Sequence, residues 1–262
     1  MRGMGRPGDG LSEAVVVVSL TGLAIVLPFA RSAGTLVAGG IAAVLLATIA
    51  MARKMPAGSS IGLLLVAFLL LGITGLRPKR LLFGLAVVAY VVAAARVPWL
   101  REVAPWRRVW SCNLRQGAVG AAVGLGAGLV LWAWYDGRPE QLADIVEITR
   151  DWSIWTLASV GVLAAVVNAV VEEAVYRGIV QDSLERVLRP GVTALVMQAA
   201  VFAALHFPSG ILQGLAGVGL AFLYGLMLGL LRRRSGGLAV PVIAHTVTDL
   251  VIVGAVLAQF AA

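Results

Sequence analysis

The chain has 262 residues, 60% of them hydrophobic and 13% charged, with a mean hydropathy of +0.94, a composition far outside that of soluble domains. The formal charge of +8 comes from Arg and Lys clustered between apolar runs, where they set membrane orientation and meet anionic headgroups rather than nucleic acid. Cys112 is the single cysteine, which excludes an intramolecular disulfide and a four-thiolate metal site.

In chain order, Arg2 and Arg6 precede an apolar run from Ala14 to Leu27, the order of a signal peptide's first two regions. The following PFARSAG offers no clean small-x-small cleavage site, so the run is expected to stay as an anchor. Apolar runs approaching the ~20 residues that cross a bilayer as helix occur near 13–30, 33–52, 59–76, 81–96, 116–134, 153–174, 191–207, 211–231 and 238–260. They predict an all-α, polytopic helical bundle of about eight or nine transmembrane helices, folded as one membrane domain. The runs at 59–76 and 81–96 are short and separated by RPKR, which fits tilted spans or a re-entrant hairpin.

Alternating sides from a cytoplasmic N-terminus puts Arg2, Arg6, Arg53, Lys54, the basic segment 96–115, Arg177, Arg186, Arg189 and Arg232 to Arg234 inside. That is most of the 21 basic residues. The acidic connection YDGRPEQLADIVEITRD falls outside, as the positive-inside rule requires, with RPKR discordant. Trp99, Trp106, Trp110, Trp152 and Trp155 flank spans and read as interfacial anchors. Gly120, Gly124 and Gly128, like Gly225 and Gly229, recur every fourth residue and are expected to let helices approach closely.

Polar and titratable groups inside a membrane are costly, so those facing a bundle interior are functional candidates. Here they are Asn168, Glu172, Glu173, Arg177, Gln198, His206, His245 and Asp249, and both histidines of the protein are among them. Glu173 and Arg177 are four apart on a helix and share a face, in the favourable acid-before-base order. Glu172 is turned about 100° away, toward Asn168 and Tyr176. The pattern separates an internal brace, Glu173 with Arg177, from a carboxylate left to react, Glu172. A poorly solvated carboxylate is a stronger base, suited to activating water. Phe202 shares a face with His206, and His245 with Asp249, so that the Asp249 carboxylate can orient the imidazole or join it around water or a metal. The chain has no H-E-x-x-H, no G-x-S-x-G and no paired intramembrane aspartates in the G-x-G-D style, which leaves glutamate-driven hydrolysis.

The segments EEAVYR (Glu172, Glu173, Arg177), FAALH (Phe202, His206), FLYGLMLG (Phe222, Gly225, Gly229) and HTVTD (His245, Asp249) resemble, in order and spacing, the four motifs of the CAAX-processing and bacteriocin-processing intramembrane endopeptidases, the CPBP family. The resemblance covers roughly the last 110 residues. It implies a membrane protease core within 116–262, preceded by N-terminal helices and a basic loop over 1–115. Glu172 would activate water for attack on a peptide carbonyl, assisted by His206, His245 and Asp249, with Glu173, Arg177 and Phe202 in support. The family commonly has asparagine where Asp249 stands, so a metal-ligand or His245-orienting role becomes open. The resemblance allows either a zinc held by Glu172, His206, His245 and Asp249 or a glutamate-type mechanism.

The implied partners are the lipid bilayer and a membrane-embedded or lipid-anchored peptide or protein. Composition rich in Ala, Gly, Val and Arg points to a bacterial cytoplasmic membrane, and so to a membrane-tethered precursor, peptide leader or sorting tail as substrate. An inactive scaffold or bacteriocin immunity factor of the same fold is the alternative. A transporter using the same groups as a relay would call for inverted repeats, and none is found. Strict alternation puts Glu172 near the inner end of the sixth span and His206 near the outer end of the seventh, unless that helix is short or tilted.

Overall fold

The computed structural model describes residues 7–73, 79–101, 103–104, 110–207, 212 and 214–260. Among them there is no strand. The helices are α1 Pro7–Val26, α2 Ala33–Ala52, α3 Pro56–Ile73, α4 Lys79–Arg96, α5 Pro98–Arg101, α6 Leu114–Asp136, α7 Ala143–Thr149, α8 Ile154–Glu173, α9 Asp182–Leu188, α10 Val192–His206, α11 Gly214–Ser235 and α12 Ala239–Ala258. The chain is a polytopic helical bundle. Each apolar run foreseen in the sequence holds a helix, and six stretches are long and apolar enough to cross a membrane: Ser12–Phe29, Ala33–Ala52, Leu114–Asp136, Ile154–Leu188, Gly214–Ser235 and Ala239–Ala258. The apolar stretches Pro56–Leu71, Phe83–Arg96 and Val192–His206 are shorter. Arg77 and Lys79 to Arg80 of the discordant RPKR segment, like Arg2, Arg6 and Trp106, lie outside the residues, or the side chains, that are described.

Local chemistry sets the helix starts. The Ser32 and Ser153 hydroxyls accept hydrogen bonds from the Thr35 and Thr156 backbone N–H at 3.0 and 3.1 Å. Asn113 and Gln116 close a capping box at the head of α6. The head of α3 is capped from a distance, with Ala57 N–H donating to Glu13 Oε1 of α1 at 2.9 Å. Outward faces carry large apolar side chains, Leu129, Leu163 and Trp155 among them, as helices in contact with lipid acyl chains require. Trp110, Trp152 and Trp155 are exposed, in keeping with interfacial anchoring.

The core is organised around α12, which packs most extensively on α6 and α8, while α10 lies along α11 and α1. The glycines of α6 make this possible. A Cβ at Gly120 would sit 2.9 Å from the Val240 carbonyl oxygen, one at Gly124 would run into the Ala244 backbone, and one at Gly128 would be 2.7 Å from Val251 Cβ. Thr248 Oγ1 then donates to the Gly124 carbonyl at 2.9 Å. Without a hydrophobic drive between helices in lipid, such backbone-level contact is what binds them.

The sixth run differs from expectation in one consequential way. It does not end at 174: α8 passes through a π-helical segment, Ala174–Gln181, directly into α9. The combined helix Ile154–Leu188 rises roughly 50 Å, more than the ~30 Å hydrocarbon core. Glu172 and Glu173 therefore lie near its middle, not at the inner end. Arg177, counted above as a loop charge, is fully buried.

Candidate active site

The combined helix and α10 form two arms joined at Arg189–Gly191. Measured from that turn at 1.5 Å per residue, Glu172 is roughly 24 Å up one arm and His206 roughly 22 Å up the other. Tyr176 and Phe202 meet across the arms, with ring centroids 4.9 Å apart. The 15-residue α10 and the uninterrupted long helix thus remove the mismatch of depth that strict alternation implied. On the other side, Gly161 of α8 meets Val253, Asn168 meets Asp249 and Glu172 faces His245. Rising numbers on α8 match falling numbers on α12, so the two helices run antiparallel.

Glu173 and Arg177 form the expected brace: Arg177 Nη1 donates to Glu173 Oε1 at 2.7 Å, and both side chains are 0% exposed. The same oxygen is 2.8 Å from His245 Nδ1. Opposite a carboxylate oxygen, Nδ1–H is the donor of this contact. The sequence allowed Asp249 either to orient His245 or to join it around water or a metal; at Nδ1 the contact is made by Glu173. Asp249 lies instead at the other nitrogen, its Oδ1 3.7 Å from Nε2, and Glu172 Oε2 is 3.8 Å from that same atom. Both separations exceed hydrogen-bond length. Glu172 and Asp249 side chains are 17% and 18% exposed, against 0% for Glu173.

Aromatic rings wall the group. Tyr224 stands edge-on to His245 at 5.5 Å and Phe202 at 6.3 Å. The Arg177 guanidinium lies 4.8 Å from the Phe202 ring centre, within cation–π range. His206 meets Phe202 at 4.6 Å, and its Nδ1 is 2.7 Å from the Phe202 carbonyl oxygen, so Phe202 lies against both imidazoles. Among the described residues no three His, Cys, Asp or Glu side chains form a group that could hold a metal ion. The zinc set allowed by the resemblance is not assembled in this arrangement. Ser209, the nearest serine to His206 in sequence, lies outside the described residues.

Residues 154–251 match the family model described as type II CAAX prenyl endopeptidase Rce1-like. This match supports kinship of the segment with the CAAX-protease family. The matched segment begins at the first residue of α8 and encloses Glu172, Glu173, Arg177, Phe202, His206, His245 and Asp249. It supports a CAAX-protease-like hydrolase in an integral membrane protein. Comparison with curated proteins and with solved structures found no match.

Several residues of the matched segment carry more than sequence reasoning gave them. Gly225 O accepts from Arg177 Nη2 at 3.1 Å and from Gln198 Nε2 at 2.9 Å, and Gly229 O accepts from Gln181 Nε2 at 3.2 Å. The two glycines of FLYGLMLG thus expose backbone acceptors to buried side chains, besides letting α10 approach: a Cβ at Gly225 would lie 3.2 Å from Ala199 Cα. Beyond Gln181, Asp182 and Glu185 bind Arg186, Arg232 and Arg233. The signal available for Gln181 and Gln198 was an amide at helical spacing from a motif residue, four after Arg177 and four before Phe202.

Proposed function

We propose that the protein is an intramembrane endopeptidase hydrolysing a peptide bond of a membrane-embedded or lipid-anchored protein or peptide, with Glu172 as the base. Glu172 takes a proton from water as the water oxygen bonds to the scissile carbonyl carbon. The tetrahedral intermediate collapses with cleavage of the carbon–nitrogen bond, and Glu172 returns the proton to the leaving amine. His245, acting as an imidazolium, donates its Nε2–H to the developing oxyanion while its Nδ1–H is held by Glu173, and His206 and Asp249 assist. A water-excluding wall of aromatic rings strengthens each of these interactions. The reading is carried by one observation: two partly accessible carboxylates, Glu172 and Asp249, lie 3.8 and 3.7 Å from one imidazole nitrogen whose partner nitrogen is locked.

The 1–115 segment would act as membrane scaffold for the 116–262 core, with the N-terminus cytoplasmic in a bacterial cytoplasmic membrane. The test is cleavage of a quenched library of lipid-anchored and leader-like peptides by the purified protein beside Glu172→Gln, with and without chelator. Cleavage that survives chelation and is lost in Glu172→Gln supports the glutamate mechanism. Loss on chelation with recovery on zinc addition overturns it in favour of metal ligation. Cellular function intact in Glu172→Gln supports the inactive-scaffold alternative.

A further inference from the structure

We infer that Asn168 is a positioning residue of this site, one that aims Asp249 at His245; the inference rests on the hydrolytic reading above. Asn168 lies one turn before Glu172 on α8 and is half-buried. Its Nδ2 donates to Asp249 Oδ2 on α12 at 3.0 Å. The other oxygen of that carboxylate, Oδ1, is the one 3.7 Å from His245 Nε2. A short carboxylate turns readily about its terminal torsion, and a charge-assisted hydrogen bond to one oxygen fixes where the other points.

The backbone around the pair is built to hold the bond at its length. Two turns before Asn168, a Cβ at Gly161 would sit 2.7 Å from Val253 Cγ1, and Ala165 and Ala169 flanking Asn168 are buried. Gly161 thus lets α8 and α12 approach to a separation that an amide and a carboxylate can span. Asn168 itself meets Asp249 and acts on the reacting group through it. The two carboxylates at Nε2 then differ in how they are placed: Glu172 comes from the same helix as Asn168, whereas Asp249 is pinned from across the helix interface.

The experiment compares Asn168→Leu, Asn168→Asp, Asp249→Asn and the exchange variant Asn168→Asp/Asp249→Asn in the full-length protein, on a peptide that the wild type cleaves. Asn168→Leu is expected to lower kcat about ten- to a hundredfold, the loss of one hydrogen bond to a charged group, with KM within about threefold. Asn168→Asp sets two carboxylates against each other and should fall further. The exchange variant keeps the hydrogen bond with its direction reversed and leaves an amide oxygen at position 249 facing His245, so it should recover at least about tenfold over Asn168→Asp. A purely structural role would instead lower melting temperature and leave kcat of the folded fraction unchanged.

Unchanged kcat in Asn168→Leu, or an exchange variant no better than Asn168→Asp, overturns the inference. Thermal unfolding of the same four proteins gives a second readout that needs no substrate: the two single changes should be non-additive in melting temperature, and additivity overturns the contact itself. Glu172→Gln, run in parallel, separates the two ideas. Full cleavage by Glu172→Gln sinks the reading of Glu172 as the base, whereas loss in Glu172→Gln with none in Asn168→Leu sinks only the positioning role.

Discussion

Replacing Arg177 by Met tests the brace most directly. The change strips a 2.7 Å hydrogen bond from Glu173, a 3.1 Å hydrogen bond from the Gly225 carbonyl and a cation–π contact from Phe202. It leaves Glu173 as a carboxylate with no access to solvent, its Oε1 still facing His245. Removing one partner of a buried ion pair costs about 3–5 kcal/mol, a large share of a net stability of about 5–15 kcal/mol. The double variant Glu173→Leu/Arg177→Met removes both charges, and hydrophobic replacement of a whole buried pair is often close to neutral. It still orphans the His245 Nδ1 proton, at about 1–3 kcal/mol, and frees the imidazole to rotate. The double variant should therefore be more stable than Arg177→Met yet equally inactive. Denaturant-induced unfolding in detergent, followed by tryptophan fluorescence, gives the stabilities, and peptide cleavage gives the activity. Arg177→Met within about 0.5 kcal/mol of wild type, below the ordinary range for a buried charge, would refute the reasoning, as would a double variant no more stable than the single one.

Gly124→Val should destabilise by about 1–3 kcal/mol through overpacking against the Ala244 backbone and reduce cleavage, because Ala244 precedes His245; Gly126→Ala, where a Cβ meets nothing within 4 Å, should gain about 0.5–1 kcal/mol. Unfolding midpoints of the two variants check both signs. Arg232→Gln breaks contacts to both Asp182 and Glu185 and should cost about 1–3 kcal/mol, with a weaker dependence of melting temperature on salt than the wild type shows. His206→Phe keeps the stacking on Phe202 at 4.6 Å but removes the ring nitrogens, so it should melt like the wild type and cleave more slowly; equal cleavage rates would remove His206 from the site.

The long helices were legible because they are apolar on nearly all sides, and the lipid solvent imposes a length that a run either meets or misses. The brace was legible because an i, i+4 acid–base pair lies wholly within one helix. What escaped were relations between helices. That Glu173 rather than Asp249 meets His245 Nδ1 depends on the rotation of α8 against α12, which the spacing of HTVTD does not encode. The π-helical segment escaped for a related reason. Its i to i+5 bonding over AVYRGIVQ leaves no mark in an apolar sequence, yet it carries the long helix past Arg177 and sets Glu172 at mid-height.

The π-helical segment and the glycine stripes address one physical problem from two sides. A hydrolytic group in lipid has to hold several buried polar side chains, and each without a partner costs about 1–3 kcal/mol. Satisfying them with side chains alone would call for still more polar residues in the membrane. Here the π-helical segment presents Arg177 and Gln181 to α11, and Gly225 and Gly229 answer with backbone carbonyls that need no additional charged or amide residue. On the opposite side, Gly124 brings its carbonyl to Thr248, one turn beyond Ala244 and His245. Backbone acceptors on α11 and α6 thus steady the two helices, α8 and α12, that carry the carboxylates and the imidazole. The demands of apolar solvent and the rigidity wanted at a reacting centre are met by the same small residues.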